Sequence, residues 1–224
     1  NEVIPEILGT TEHFENSQEV EKPTVCPSCG TPLREVGAHL FCPNRDCVPR
    51  IVAMLDHYAG KNAMNIDGFS DSTALQLVNA KKVRSFADLY RLTEEDLGEL
   101  EGFKDKKIAN LLTVIKNSKT PTMDAFIYAI GIEGVGRVAA KDLAARFKTM
   151  DALRQATFED LLALDNVGEI TAKAILAYFN DENNVAQLEA LTKVGVSPTW
   201  SDEKKEGIFS GESVVLTGTL QSFK

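Results

Sequence analysis

The sequence is short of several things, and each shortage narrows the field. No apolar run approaches the roughly 18 residues that a membrane-spanning helix needs. No basic stretch leading into an apolar one opens the chain, so no secretory leader is read. Positive charge is not in excess: 24 Lys and Arg stand against 33 Asp and Glu, a net of −9, which at first argues against a nucleic-acid ligand. Tryptophan occurs once, at Trp200, and cysteine only four times. The remaining composition is ordinary for a globular chain, with 43% hydrophobic and 25% charged residues over 224 positions, which excludes wholesale disorder. That length accommodates one large domain or two or three small ones. Asn1 rather than Met opens the chain, and the expectation is a piece cut from a longer protein.

Global acidity weakens as an argument once its distribution is seen. Residues 1–25 carry six Glu against one Lys, while further along the basic residues bunch behind particular glycines. Phosphate contacts depend on local potential, and distant acids are screened beyond about 8 Å. Along the chain, residues 1–8 (including EVIPEIL) are expected to form a terminal strand and 9–22 an acidic linker. All four cysteines fall in a loop-rich module at 23–50, and helical periodicity runs from 51 to 196. A second polar linker is expected at 197–210, and 211–224 (GESVVLTGTL at its start) reads as a strand opening a further domain.

Cys26-Pro-Ser-Cys29-Gly30 is followed, 12 residues on, by Cys42-Pro-Asn-Arg-Asp-Cys47. A tetrahedral zinc ion takes four thiolates at about 2.3 Å, and two short C-x₂₋₄-C turns supply them in pairs. Gly30 suits the tight backbone after the second ligand. Two disulfides are the alternative, but no targeting segment supports an oxidising compartment. The second pair also disfavours a redox C-x-x-C. With four thiols present, His39 is expected at the surface or in packing. A closed Cys₄ site is structural, with no open position for chemistry.

A repeat dominates the helical region. Ile66-Asp67-Gly68-Phe69-Ser70, Leu100-Glu101-Gly102-Phe103-Lys104, Ile132-Glu133-Gly134-Val135-Gly136 and Leu164-Asp165-Asn166-Val167-Gly168 align, with starts 34, 32 and 32 residues apart. Each copy lies between two apolar helical segments, which reads as a helix–hairpin–helix unit repeated. Tight hairpins of this kind need glycine for positive φ or close backbone approach. Their amides then face outward at the N-terminus of the second helix, where the macrodipole favours an anion such as a DNA phosphate.

The groups expected on DNA are Gly68, Phe69 and Ser70; Gly102, Phe103, Lys104, Lys106 and Lys107; Gly134, Val135, Gly136, Arg137 and Lys141; and Val167, Gly168 and Lys173. Such contacts position a protein on the backbone without reading bases. Asn166 is expected to substitute for glycine by tolerating the left-handed region. Glu169 and Asp71 oppose phosphate at their hairpins, so the third hairpin is the strongest expected site and the first the weakest.

A helical-repeat scaffold for protein partners is one competitor, since tetratricopeptide repeats have a 34-residue period. It expects aromatic packing positions in each helix pair, whereas Trp200 stands alone in a linker. A base-excision glycosylase is another, but it needs one hairpin beside a catalytic Lys or Asp in a base pocket.

The order of parts, from EVIPEIL through the Cys26–Cys47 module and the hairpins at 66–168 to SGESVVLTGTL, resembles the C-terminal half of a bacterial NAD-dependent DNA ligase. The resemblance implies a mainly α fold: a small Cys₄ zinc finger, then a domain of four helix–hairpin–helix motifs, with short strands at both chain ends. Residues 1–8 would be the last strand of an OB domain and 211–224 the first strand of a truncated BRCT domain. The implied activity is nick sealing in duplex DNA during replication and repair, in the bacterial cytoplasm. NAD and Mg²⁺ would act only in absent parts, because the family's adenylated lysine lies in a K-x-D-G motif. Asn65-Ile66-Asp67-Gly68 has Asn at that lysine position, so no catalytic residue is expected here. Structural Zn²⁺ on Cys26, Cys29, Cys42 and Cys47 is the cofactor expected in this piece. Its expected partners are nicked duplex DNA and, in cis, the nucleotidyltransferase, OB and BRCT domains, with no membrane.

Overall fold

The computed structural model describes residues 21–201 together with Gly9 and Asn16. The strands expected at 1–8 and 211–224, and most of both linkers, lie outside the described residues. The chain divides into two compact units, one ending at Arg50 and one beginning at Ile51.

The first unit is a hairpin with a cysteine cluster. Strands β1 (Arg34–Val36) and β2 (His39–Phe41) pair antiparallel, with Arg34 opposite Phe41 and Val36 opposite His39. Every residue of both strands is exposed, so this sheet buries no apolar face. Among the described residues of this unit, Cys26 and Cys47 are the buried side chains, at 7% and 2% exposure. Among its described residues no hydrophobic core forms, and a small unit built that way needs a cross-link to hold it.

The second unit is helical, with α1 (Val48–Ala59) belonging to it from Ile51 onward, then α2 (Asp71–Asn79), α3 (Phe86–Leu89), α4 (Glu94–Gly98), α5 (Asp105–Asn117), α6 (Met123–Ala129), α7 (Arg137–Phe147), α8 (Met150–Arg154), α9 (Phe158–Leu162), α10 (Glu169–Asn180) and α11 (Glu182–Lys193). The four hairpins join α1 to α2, α4 to α5, α6 to α7 and α9 to α10. Their pairing is a twofold duplication rather than four equal repeats. Ser85-Phe86-Ala87-Asp88-Leu89 and Thr93-Glu94-Glu95-Asp96-Leu97 in the first half stand 64 residues before Thr149-Met150-Asp151-Ala152-Leu153 and Thr157-Phe158-Glu159-Asp160-Leu161 in the second. Leu89, Leu97, Leu153 and Leu161, the leucines closing these segments, are all at most 1% exposed. The short helices are held by capping: Thr93 and Thr157 each accept from the amide three residues on and donate back to Asp96 and Asp160.

Inside the first half, the Tyr58 ring stacks on Phe86 at 4.2 Å, and a buried hydroxyl chain runs from Tyr58 to Tyr90 (2.9 Å) to Ser118 (3.2 Å). Burial pushes the phenols of Tyr58 and Tyr90 up, so both stay neutral partners. Backbone hydrogen bonds to the helical unit continue past residue 196. Ser197 N donates to Lys119 O at 2.8 Å, Thr199 N to Pro121 O at 2.9 Å and Met123 N to Thr199 O at 2.8 Å. The polar composition of 197–199 suggests a linker, but its backbone is engaged as a short extended segment beside α6.

Candidate nucleic-acid interface and metal centre

Three of the four tips turn on a left-handed glycine. Gly68, Gly102 and Gly134 have φ of +83°, +76° and +76°, a left-handed conformation that glycine alone takes without strain. The second small position is instead the N-cap of the following helix. Ser70, Lys104, Gly136 and Gly168 are all extended there, with ψ between 164° and −179°. Any residue adopts that geometry, which explains why Ser and Lys replace glycine at two of the four.

Asn166 corrects the expectation made for it. Among the described residues the non-glycines with positive φ are Asn65, Lys81 and Lys148, and Asn166 is not one of them. Its amide instead donates to Asp142 Oδ2 at 2.6 Å, tying the fourth hairpin to α7. In the first pair, Gln76 Oε1 on α2 accepts from Glu101 N at 2.7 Å, so each pair is stitched from the sixth residue after its leading N-cap.

Phe69, Phe103, Val135 and Val167 also need correction as DNA contacts. Their exposures are 9%, 9%, 7% and 3%, and their amides already donate to Ile66, Leu100, Ile132 and Leu164 carbonyls. They are wedges that seat each hairpin on its helices, because a turn must bury an apolar anchor to hold its shape.

Helix N-termini set three of the four hairpins apart from most of the fold. Side chains accept from N-terminal amides of α2, α4, α8, α9 and α11, Asp88 closes the start of α3, and α6 gives its first amide to Thr199 O. By contrast α5, α7 and α10 begin at Lys104, Gly136 and Gly168 with no side-chain cap. The amides of Gly136, Arg137, Val138 and Ala139 have no acceptor among the described residues, and the same holds for 104–107 and 168–171. At the first hairpin Ser70 Oγ takes the Thr73 amide and Asp71 Oδ1 the Ser72 amide. Three hairpins therefore offer bare donor groups at an exposed tip, and the first fills its own.

Cations gather beside these amides. Gly68, Gly102, Lys104, Lys106, Lys107 and Asn110 line an open groove of about 630 Å³ between the first two hairpins. Lys107 Nζ sits 3.7 Å from the centroid of the Phe103 ring, which holds the ammonium at the groove. Arg137 and Lys141 flank the third tip, both exposed. Lys173 pairs with Glu169 at 3.4 Å, so the acid expected to repel phosphate has a cation beside it, four residues on.

Cys26, Cys29, Cys42 and Cys47 place all four Sγ atoms within 4.8 Å of one another, a cluster able to hold a metal ion. Sγ–Sγ separations of 3.7 Å (Cys26–Cys47) and 3.5 Å (Cys29–Cys42) are far from a disulfide and match the edges of a ligand tetrahedron, about 3.8 Å for sulfur at 2.3 Å from zinc. All four thiols are free. The Thr31 hydroxyl and backbone draw the Cys29 thiol down to about 6, whereas desolvation pushes Cys42 up to about 12. Gly30, at φ +71°, lets its amide turn back to Cys26 O at 2.8 Å. His39 is exposed and outside the cluster, against Phe41.

Residues 125–188 match the family model of the helix-hairpin-helix motif. The whole chain aligns with DNA ligase of Clostridium novyi at 43% identity and of Alkaliphilus oremlandii at 44%, covering 100% of this chain and 34% of each. DNA ligase 1 of Clostridium acetobutylicum is 42% identical over the same share. The chain spans about a third of the length of the curated relatives it matches.

Proposed function

We propose, from homology to bacterial DNA ligases along its whole length, that this chain is the DNA-gripping, non-catalytic part of an NAD-dependent DNA ligase. One observation carries the reading. Three of the four helices that follow hairpin tips, α5, α7 and α10, begin without a side-chain cap, and lysine or arginine stands beside each. A phosphate oxygen accepts from such amides, is favoured by the helix dipole, and gains charge-assisted contacts from Lys104, Lys106, Arg137 and Lys141. None of this reads a base edge, so the grip is independent of sequence and serves a ligase that must act at any nick.

Adenylation with NAD and Mg²⁺, and the sealing step, belong to parts of the ligase outside this chain. In cis, the nucleotidyltransferase, OB and BRCT domains would bring that chemistry to the held duplex. The four thiols fit Zn²⁺, which would cross-link the coreless first unit and supply no reaction step. No described helix is long and apolar enough to cross a membrane.

The test is binding of the 224-residue chain to plain and nicked duplexes of varied sequence over a salt series. Contact with about six phosphates gives a slope of log K against log salt near −5. Gly136→Asp sets a carboxylate beside bare amides and is expected to weaken binding at least tenfold, while Glu182→Gln changes it little. Equal binding by the two variants, or strong sequence preference, would overturn the mechanism.

A further inference from the structure

The two hairpin pairs differ in a way that phosphate binding leaves unexplained. Aligned on the N-caps Ser70, Lys104, Gly136 and Gly168, the second residue of each following helix is Ser72, Lys106, Val138 and Ile170. The first pair thus carries polar or cationic side chains there, the second pair branched aliphatics. Ile170 is 85% exposed and Val138 60%, the two highest values among the described exposed large hydrophobic residues. Both stand in the first turn of a helix whose amides are bare, α7 and α10, within one residue of the donors described above.

A lone exposed aliphatic is common on any surface. Two at the same register of two duplicated tips, each beside open amides, share a neighbourhood with whatever those amides bind. If that is a phosphodiester, the chain of the ligand continues on either side of the phosphate as deoxyribose, whose C–H faces are the apolar part of a DNA backbone. A β-branched side chain is stiff at χ1, so little rotamer freedom is lost when it is covered. A lysine at the same place would add a charge, and serine would add little area.

Resting on the DNA-binding reading above, we infer that Val138 and Ile170 pack against deoxyribose next to the phosphates held by the third and fourth hairpins. The two pairs then grip by different physics. The first, with Lys104, Lys106 and Lys107 around its groove, contributes through counterion release and weakens as salt rises. The second adds an apolar component that salt leaves alone. The ligand class this selects is a double helix with unhydroxylated sugars, since covering a 2′-hydroxyl with isoleucine strips it of water and supplies no partner.

The experiment compares the wild-type chain with Val138→Ser/Ile170→Ser, Lys106→Ala and Ile170→Lys on one DNA duplex over a salt series. The double serine variant is expected to bind roughly ten- to thirtyfold more weakly at every salt concentration, with an unchanged slope. Lys106→Ala should flatten the slope by about one unit, and Ile170→Lys should steepen it by a similar amount. Thermal melting checks folding, which exposed positions in a first helical turn leave intact. Wild-type binding with the serine variant unaltered would refute the sugar contact alone, as would a loss that comes with a flatter slope. A wild-type chain that fails to bind duplex DNA would bring down the DNA-binding reading itself, and the inference with it.

Discussion

Gly134 and Gly136 lie two residues apart in one tip and do opposite jobs. Gly134 is left-handed at φ +76°, and a Cβ there would stand 3.0 Å from Thr171 Oγ1. Gly136 has an ordinary extended backbone, and a Cβ there meets nothing within 4 Å. Gly134→Ala should therefore cost about 1–2 kcal/mol of stability and lower Tm by roughly 2–8 °C. Gly136→Ala should leave Tm within error while weakening duplex binding several-fold, because the added methyl group stands where the strand must approach. Thermal melts and titrations of the same two proteins check both halves; a Tm loss at Gly136 or none at Gly134 would contradict the assignment. The left-handed glycines were legible in the sequence from the repeat of acidic, Gly, apolar. Asn166 was not, because its place is decided by Asp142, which is 24 residues away.

At the scale of elements, capping divides the helices by purpose. The short helices α4 and α9 close on themselves through Thr93–Asp96 and Thr157–Asp160. Lys82, at 2.9 Å, and then Thr93 hold the Asp96 carboxyl down at about 2. Thr157 draws Asp160 below its ordinary value as well. A carboxylate whose folded pKa is depressed contributes stability above its unfolded pKa near 4, and that contribution disappears as pH falls through the folded value. Asp96→Asn should accordingly melt earlier than wild type at pH 7, with the difference shrinking between about pH 4 and 2. Melting curves at a series of pH values decide this, and a pH-independent gap would mean that the charge is irrelevant. The hairpin helices α5, α7 and α10 forgo such caps, which leaves donors for a ligand. Capping pairs such as Thr93 with Asp96 are visible in the sequence as S/T-x-x-D. Their recurrence at 64 residues was also readable, yet it takes the burial of Leu89, Leu97, Leu153 and Leu161 to make the duplication evident.

In the whole molecule, two units rest on different sources of stability. The second buries a continuous set of aliphatic and aromatic side chains, whereas the strands of the first bury none. If the four thiols hold zinc as proposed, Cys42→Ser or treatment with a chelator is expected to collapse residues 23–50 and leave the melting of the helical unit nearly unchanged. Metal analysis of the folded chain should find a single zinc; a folded first unit without metal would refute the cross-link. An acidic protein with net charge −9 presents its cations locally, around the groove of Lys104, Lys106 and Lys107. Ligand spacing, left-handed glycines and helix registers were written in the sequence itself, because each depends on residues within a few positions of one another. Tertiary structure alone decided that the wedges Phe69, Phe103, Val135 and Val167 are buried, that Ser197–Thr199 joins the helical unit, and that Val138 and Ile170 stay in the open. Those outcomes turn on partners as far off as the 78 residues between Pro121 and Thr199, and only packing brings such groups together.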